Sequence, residues 1–340
     1  MIEGIDSITY STETWSEARR FLNDWGLQET AFSDTEQQFE TANGSVVKVL
    51  RNDDASLPTA METGATLREV VWGVDSDATL NFLAKSLKNA YGYCASSYDN
   101  NSVNEATQIS ALDPHGLRIV FQRSQKRKLD IQGASTNPFG NVQRVNVPSP
   151  IYERAVPIEI GHVVLFTDKL QEAVAFYQSL GFVQSDSYPE RGVFLRCSAT
   201  GGHHDLFLLQ VPGKARGLNH VAFTVRDIHE VFGGGLAMSR AGWKTQLGPG
   251  RHPVSSAYFW YFDNPCGGLI EYNADEDHLT ADWQPRTFTP SPTMFAEWAI
   301  EGGIDGHSRR QSPPSTAVSS GAPASAAQGH SEPKFMTDRR

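Results

Sequence analysis

Two stretches of the chain share one pattern of apolar and polar positions. IDSITYSTETWSEARRFLNDWGL, from Ile5, and IGHVVLFTDKLQEAVAFYQSLGF, from Ile160, each run as a short apolar strand, a polar turn, a helix-period segment, then glycine and a large apolar residue. In the second copy Ala173, Phe176, Tyr177 and Leu180 recur at helical spacing and define one buried face. Ala18, Phe21, Leu22 and Trp25 do the same in the first copy. Asp168 is placed to cap the second helix, and Gly26 and Gly181 sit where a left-handed C-terminal residue belongs. A second pair of units follows. LREVVWGV, from Leu67, matches LNHVAFTV, from Leu218, and DPHGLRIVF, from Asp113, matches NPCGGLIEY, from Asn264. Each half therefore reads as two βαβββ modules, over roughly residues 1–123 and 157–276. A module that cannot close its own sheet buries a shared face against its neighbour. The expected class is α+β, with four βαβββ modules in two tandem halves, each half a paired-module, open barrel-like sheet.

Between the halves, residues 124–156 are polar and rich in Asn, Pro and Gly, and read as a connector. The segment TMFAEWAIEGGID, from Thr293, reads as an extension helix within 291–311. Residues 312–340 are dominated by Ser, Ala, Pro and Gly and are expected to form a disordered tail. A net charge of −10 disfavours a nucleic-acid partner. No stretch is long and apolar enough to span a bilayer, so no membrane partner is expected. The N-terminal MIEGIDSITY carries acids and lacks the apolar core of a secretory leader, which makes cytoplasmic the expected location. Cys94, Cys197 and Cys266 are scattered, with neither a disulfide framework nor a cysteine zinc site.

Histidine changes the picture. Of ten histidines only His115 lies before residue 150. His162 in IGHVVLF, His220 in LNHVAFTV and Glu271 in GLIEYNAD fall at strand positions. Regular alternation puts His162 on a face with Ile160 and Val164, His220 with Leu218 and Ala222, and Glu271 with Leu269 and Asn273. A lone histidine in an apolar strand is more often a hydrogen-bonded core residue than a ligand. Here the repeat shifts the balance. The matching positions of the first half are Ser7, Glu69 and Val120, so the full set occurs in one half only. Three such groups buried without partners are costly, and one shared metal satisfies them. Two histidines and a carboxylate are the facial set expected for non-haem Fe(II).

With these residues in view, about residues 1–290 resemble the type I extradiol ring-cleavage dioxygenases (catechol 2,3-dioxygenase-like) of the vicinal-oxygen-chelate superfamily. His162 and His220 are 58 residues apart and Glu271 follows 51 later, in keeping with the family's pattern. The resemblance implies further roles. His204, second of the pair in GGHHDLFLL, matches the family's catalytic histidine, with His203 beside it as a substrate contact. His252 and Tyr261, nineteen and ten positions before Glu271, match a substrate-binding and catalytic pair. It also implies a non-metal half at 1–123, a catalytic metal half at 157–290, Fe(II) or else Mn(II) at the metal, O2 as co-substrate, a catechol or hydroxyquinol-type substrate, and a homo-oligomer. In that reading both atoms of O2 enter the ring beside its hydroxyls. Two alternatives stay open: another metal-dependent member of the superfamily (a glyoxalase-like isomerase or a thiol transferase), and a non-catalytic binding protein of this fold. Phe194, Phe207, Trp243 and Phe259 are candidates to line a pocket. The run Gly233–Gly235 lacks a phosphate-loop context and is assigned no cofactor role.

Overall fold

The structure, a computed structural model, describes residues 1–91, 108–301 and 308–309. The first half supplies β1 (Ile2–Thr12), α1 (Trp15–Asp24), β2 (Gln28–Phe32), β3 (Glu36–Glu40), β4 (Val46–Arg51), β5 (Leu67–Val74), α2 (Asp77–Tyr91), β6 (Gln108–Leu112) and β7 (Arg118–Arg123). The second begins with β8 (Glu159–Phe166), α3 (Leu170–Ser179), β9 (Val183–Tyr188), β10 (Gly192–Arg196), β11 (Gly201–Gly202) and β12 (Leu206–Leu209). It continues with β13 (Gly217–Thr224), α4 (Ile228–Arg240), β14 (Thr245–Arg251), β15 (Tyr258–Asp263) and β16 (Leu269–Ala274). Then come β17 (His278–Leu279), β18 (Arg286–Thr287), α5 (Pro292–Phe295), β19 (Trp298–Glu301) and β20 (Ser308–Arg309).

Each half builds one sheet on one plan. The first is ordered β2-β3-β4-β1-β5-β7-β6, and the second contains β9-β10-β12-β8-β13-β16-β15-β14. In both, the leading strands of two modules meet antiparallel at the centre, β1 on β5 and β8 on β13. Residues 92–107, where a further strand of the second module would fall, lie outside the described residues, as do Cys94 and the tail at 312–340.

The helical faces fold as their spacing predicts. Ala18, Phe21, Leu22 and Trp25 are all buried, as are Ala173, Phe176, Tyr177 and Leu180. Gly26 and Gly181 have φ of 101° and 100°, the left-handed conformation that ends both helices. Capping differs from expectation. Helix α3 starts at Leu170 after Lys169, and the Lys169 amide donates to Thr167 Oγ1 instead of Asp168 serving as the cap. The extension also differs: a four-residue helix ends at Phe295, and Trp298–Glu301 forms a strand antiparallel to β14. Ala and Glu there favour helix locally, but the open edge of β14 offers a ladder of hydrogen bonds that overrides the preference.

The glycine run sits inside α4 and serves close packing. A Cβ at Gly233 would lie 2.2 Å from Tyr152 O, and one at Gly235 would lie 2.0 Å from the Trp260 ring. The chain before β8 is thereby tucked under α4, with Glu230 accepting the Val156 amide.

Candidate active site

The second sheet curves around a cavity of about 340 Å³ whose floor carries the histidines. Its register explains why. Across the central strands His162 pairs with Ala222, Ala222 with Glu271, and Glu271 with Tyr261, so these four form one row. His220 lies two residues from Ala222 on the same strand face. The small Ala222 side chain leaves the space between His162 and Glu271 open. The first half has the matching row Ser7, Val71, Val120, with Glu69 at the place of His220. There Arg118 Nε lies 3.0 Å from the Glu69 carboxylate, so a side-chain cation already occupies that acid.

Strict alternation fails at two places. Register shifts on β13 and β8 skip Asn219 and Gly161. Leu218 and Ile160 consequently join the apolar core and not the faces of His220 and His162. The bulge has a use: the displaced Asn219 Oδ1 lies 2.6 Å from His220 Nδ1 and accepts its hydrogen, leaving Nε2 bare.

His162 Nε2 and His220 Nε2 are 3.2 Å apart, and lie 3.2 and 3.0 Å from Glu271 Oε2. Glu271 is fully buried, yet neither of its oxygens receives a hydrogen bond of good geometry. Burial pushes this carboxyl up, but the facing histidines outweigh it and hold it well below the usual range. Burial likewise depresses His220. Two imidazole nitrogens and a carboxylate oxygen converging inside the protein fit a divalent cation. Ligands about 2.1 Å from one ion stand about 3.0 Å apart at right angles and about 3.4 Å apart at tetrahedral angles. The observed separations of 3.0–3.2 Å fall within the range that one ion spans. A second group, His162, His204 and Glu276, is similarly close. Its carboxylate is already engaged by the His204 ring and amide, which argues for the first trio.

The remaining candidates ring the trio. His204 lines the cavity, its ring centroid 4.1 Å from that of His162, and burial lowers its pKa well below the ordinary value. His252 donates from Nδ1 to Phe295 O at 2.7 Å, so its Nε2 accepts from the Tyr261 hydroxyl at 3.1 Å. Burial and the Glu271 charge push the Tyr261 hydroxyl well above its ordinary pKa, so the phenol keeps its proton. His203 is the exception. It does not line the cavity, and its fully buried ring is held between Asp186 and His204. Of the expected aromatic walls, Phe194 and Phe207 line the cavity, stacked at 3.9 Å. Trp243 packs in the core against Phe21, and Phe259 lies behind His252. Val164, Val254 and Leu209 complete an apolar wall, and the one Lys or Arg of the lining, Arg191, is solvent-exposed. Asn219, Asp186, Glu276 and Arg286 gave no signal in the sequence. All four act on a histidine or on its partner.

A duplicated βαβββ architecture with a two-histidine, one-carboxylate group on the floor of a single cup defines the class. Residues 159–272 match the family model described as Glyoxalase/Bleomycin resistance protein/Dioxygenase superfamily. The chain is 34% identical to Metapyrocatechase 2 of Cupriavidus necator over 178 residues, 52% of this chain and 53% of the relative. It thus spans about half the length of the curated relatives it matches. In fold it is similar to the Mn(II)-bound glyoxalase from Novosphingobium aromaticivorans (TM-score 0.69, 22% identity, 92% of this chain and 96% of the other). It is also similar to homoprotocatechuate 2,3-dioxygenase from Arthrobacter globiformis (TM-score 0.65, 17% identity, 91% and 95%). Among the described residues no helix is long and apolar enough to cross a membrane.

Proposed function

We propose that the protein is an extradiol dioxygenase that opens a catecholic ring bearing apolar substituents. Residues 157–290 form the catalytic half, with ferrous iron on His162, His220 and Glu271, and residues 1–123 form a half without metal. The observation that carries this reading is the buried, convergent His162–His220–Glu271 group at the floor of an apolar cavity ringed by His204, His252 and Tyr261. The similarity to a metapyrocatechase supports it. Bound there, a ferrous ion would supply open coordination positions for the substrate oxygens and O2 and a path for electrons from the ring, which is itself the reductant.

The protein's own groups do the rest. The Tyr261 hydroxyl donates to His252 Nε2, and its lone pairs accept a hydrogen bond from one substrate hydroxyl, orienting the ring. His204 is the base that removes a substrate proton and the acid that returns it, a role suited to a neutral imidazole. Phe194, Phe207, Val164 and Val254 exclude water from the ring and its substituents.

The test is oxygen uptake by anaerobically purified, Fe(II)-loaded protein over a panel of substituted catechols and hydroxyquinols. The expected result is one O2 consumed per ring opened. Iron-loaded protein that takes up no O2 with any member, or that isomerises a glutathione hemithioacetal, overturns the proposal.

A further inference from the structure

Outside the cavity a chain of polar groups, its two middle members fully buried, ends on His204. The Arg286 side chain lies 2.7 and 3.1 Å from Asp186 Oδ2, and its backbone amide donates to Oδ1 at 2.7 Å. Asp186 Oδ2 is also 2.9 Å from His203 Nε2. His203 Nδ1 is 3.2 Å from His204 Nδ1. On its other side His204 Nδ1 is 2.9 Å from Glu276 Oε1. Neither His203 nor Glu276 lines the cavity.

Hydrogen-bond direction can be followed along this chain. A carboxylate only accepts. Asp186, clamped by a guanidinium, therefore takes its hydrogen from His203 Nε2. Burial opposes a second proton on the His203 ring, so its Nδ1 is bare. Burial pushes the Glu276 carboxyl well up, but Oε1 also accepts the backbone amide of His204 at 3.3 Å, which marks it as the carbonyl oxygen and leaves any carboxyl proton to Oε2. His204 Nδ1 thus faces two acceptors and must carry the ring hydrogen. Gly202 leaves room for the second Glu276 oxygen, since a Cβ there would sit 2.6 Å from Oε2.

We propose that His203 and Glu276 are positioning residues that fix His204 as its Nδ1–H tautomer, presenting a bare Nε2 to the substrate. The role rests on the dioxygenase reading, while the tautomer itself does not. In the reaction the substrate O–H bond breaks as the Nε2–H bond forms, and the same proton later returns from Nε2. In the wrong tautomer Nε2 already holds a hydrogen and cannot begin this cycle.

Two readouts test the proposal. Long-range 1H–15N correlation of the histidine-labelled full chain, loaded with diamagnetic zinc, reports the tautomer directly, with His204 assigned by its loss in His204→Gln. The expected spectrum shows His204 protonated at Nδ1, and a mixture in the double variant His203→Phe/Glu276→Leu. An Nε2–H form in the parent overturns the proposal. In the iron-loaded protein, Glu276→Leu should lower kcat about tenfold to a hundredfold with KM and iron content near parent values. Glu276→Gln, which keeps a carbonyl acceptor, should restore most of kcat. Equal loss in both variants, or a loss carried by KM alone, overturns the positioning role. A parent with the expected spectrum but no turnover of any catechol overturns the dioxygenase reading and supports the tautomer assignment.

Discussion

The cavity wall makes a quantitative statement about the substrate. Beyond the floor of His162 and His220 the lining includes Val164, Phe194, Phe207, Leu209 and Val254 among a few polar side chains, and Arg191, its one Lys or Arg, is exposed to solvent. Val164, Val254, Phe194 and Phe207 form one buried apolar cluster, so a substituent laid against it exchanges water for apolar contact. Each buried methylene then contributes about 0.8 kcal/mol. That is roughly a fourfold rise in kcat/KM per carbon, from catechol through its methyl, ethyl and propyl derivatives. A ring carboxylate meets no buried cation there, and leaving a charge unpaired costs several kcal/mol, at least about a hundredfold in the same ratio. Phe207 is the residue to change, since its ring stacks flat on Phe194 and closes one side of the wall. Its place depends on Gly192, where any Cβ would lie 2.5 Å from the Phe207 ring. Phe207→Ala should flatten the alkyl series and leave unsubstituted catechol within a few-fold. Steady-state oxygen uptake gives the ratios. A flat series in the parent, or carboxylated catechols preferred over alkylated ones, would refute the argument.

Other expectations follow from single contacts. His204→Phe keeps ring bulk but no nitrogen, and should retain metal while turnover falls by about 10²–10⁴. Glu271→Ala should lose tight metal binding, measured by elemental analysis after dialysis, and the parent should hold one ion per chain because Arg118 already pairs with Glu69 in the first half. Gly235→Ala sets a Cβ 2.0 Å from the Trp260 ring and should destabilise the protein by about 1–3 kcal/mol or more in denaturant unfolding. Asp186 carries an acid-stability expectation: burial raises its carboxyl, but hydrogen bonds from His203 and Arg286 outweigh this and hold it below 3.8. A depressed carboxyl contributes stability above its unfolded value, near 4, and loses it as pH falls through the folded value. Unfolding free energy should therefore drop below about pH 4 less steeply in Asp186→Asn than in the parent.

Much of this was legible in the sequence because the decisive signals are local or repeated. Helical spacing identified the faces of α1 and α3, and the repeat set His162, His220 and Glu271 against Ser7, Glu69 and Val120. The observed registers pair those same positions in rows. What escaped has a common physical cause. Alternation assumes an unbroken strand, so it misplaced Ile160 and Leu218 on either side of a bulge. Asp186 and Arg286 are a hundred residues apart and meet only because β9 and β18 run parallel. His203 looked like a substrate contact from its place beside His204, yet its ring lies behind that of His204, off the cavity, and reaches Asp186. Trp298–Glu301 has helix-favouring residues, and only the open edge of β14 makes it a strand.

The first half is tied to the candidate site through the back of one strand. Glu271 faces the cavity, so its neighbour Tyr272 must face the other way. There Tyr272 stacks on Trp25 with ring centroids 3.6 Å apart and planes 4° from parallel, and its hydroxyl donates to Trp25 O at 2.7 Å. Trp25 is the last apolar residue of the first half's repeat helix, and Gly26 directly after it approaches Ala155 so closely that a Cβ would lie 2.2 Å from Ala155 O. Behind Tyr272 lies Gly234, with room for no side chain: a Cβ there would lie 2.8 Å from the tyrosine ring. The strand that carries the carboxylate is thus gripped between a helix of its own half and a helix of the other. The two halves share a second buried contact, in which His115 bonds Asp113 and Thr167 while Tyr177 donates to the same Asp113. The repeat thus sets a packing face of the first half behind the strand that carries Glu271, so that the His162–His220–Glu271 group stands on a wall its own half does not supply.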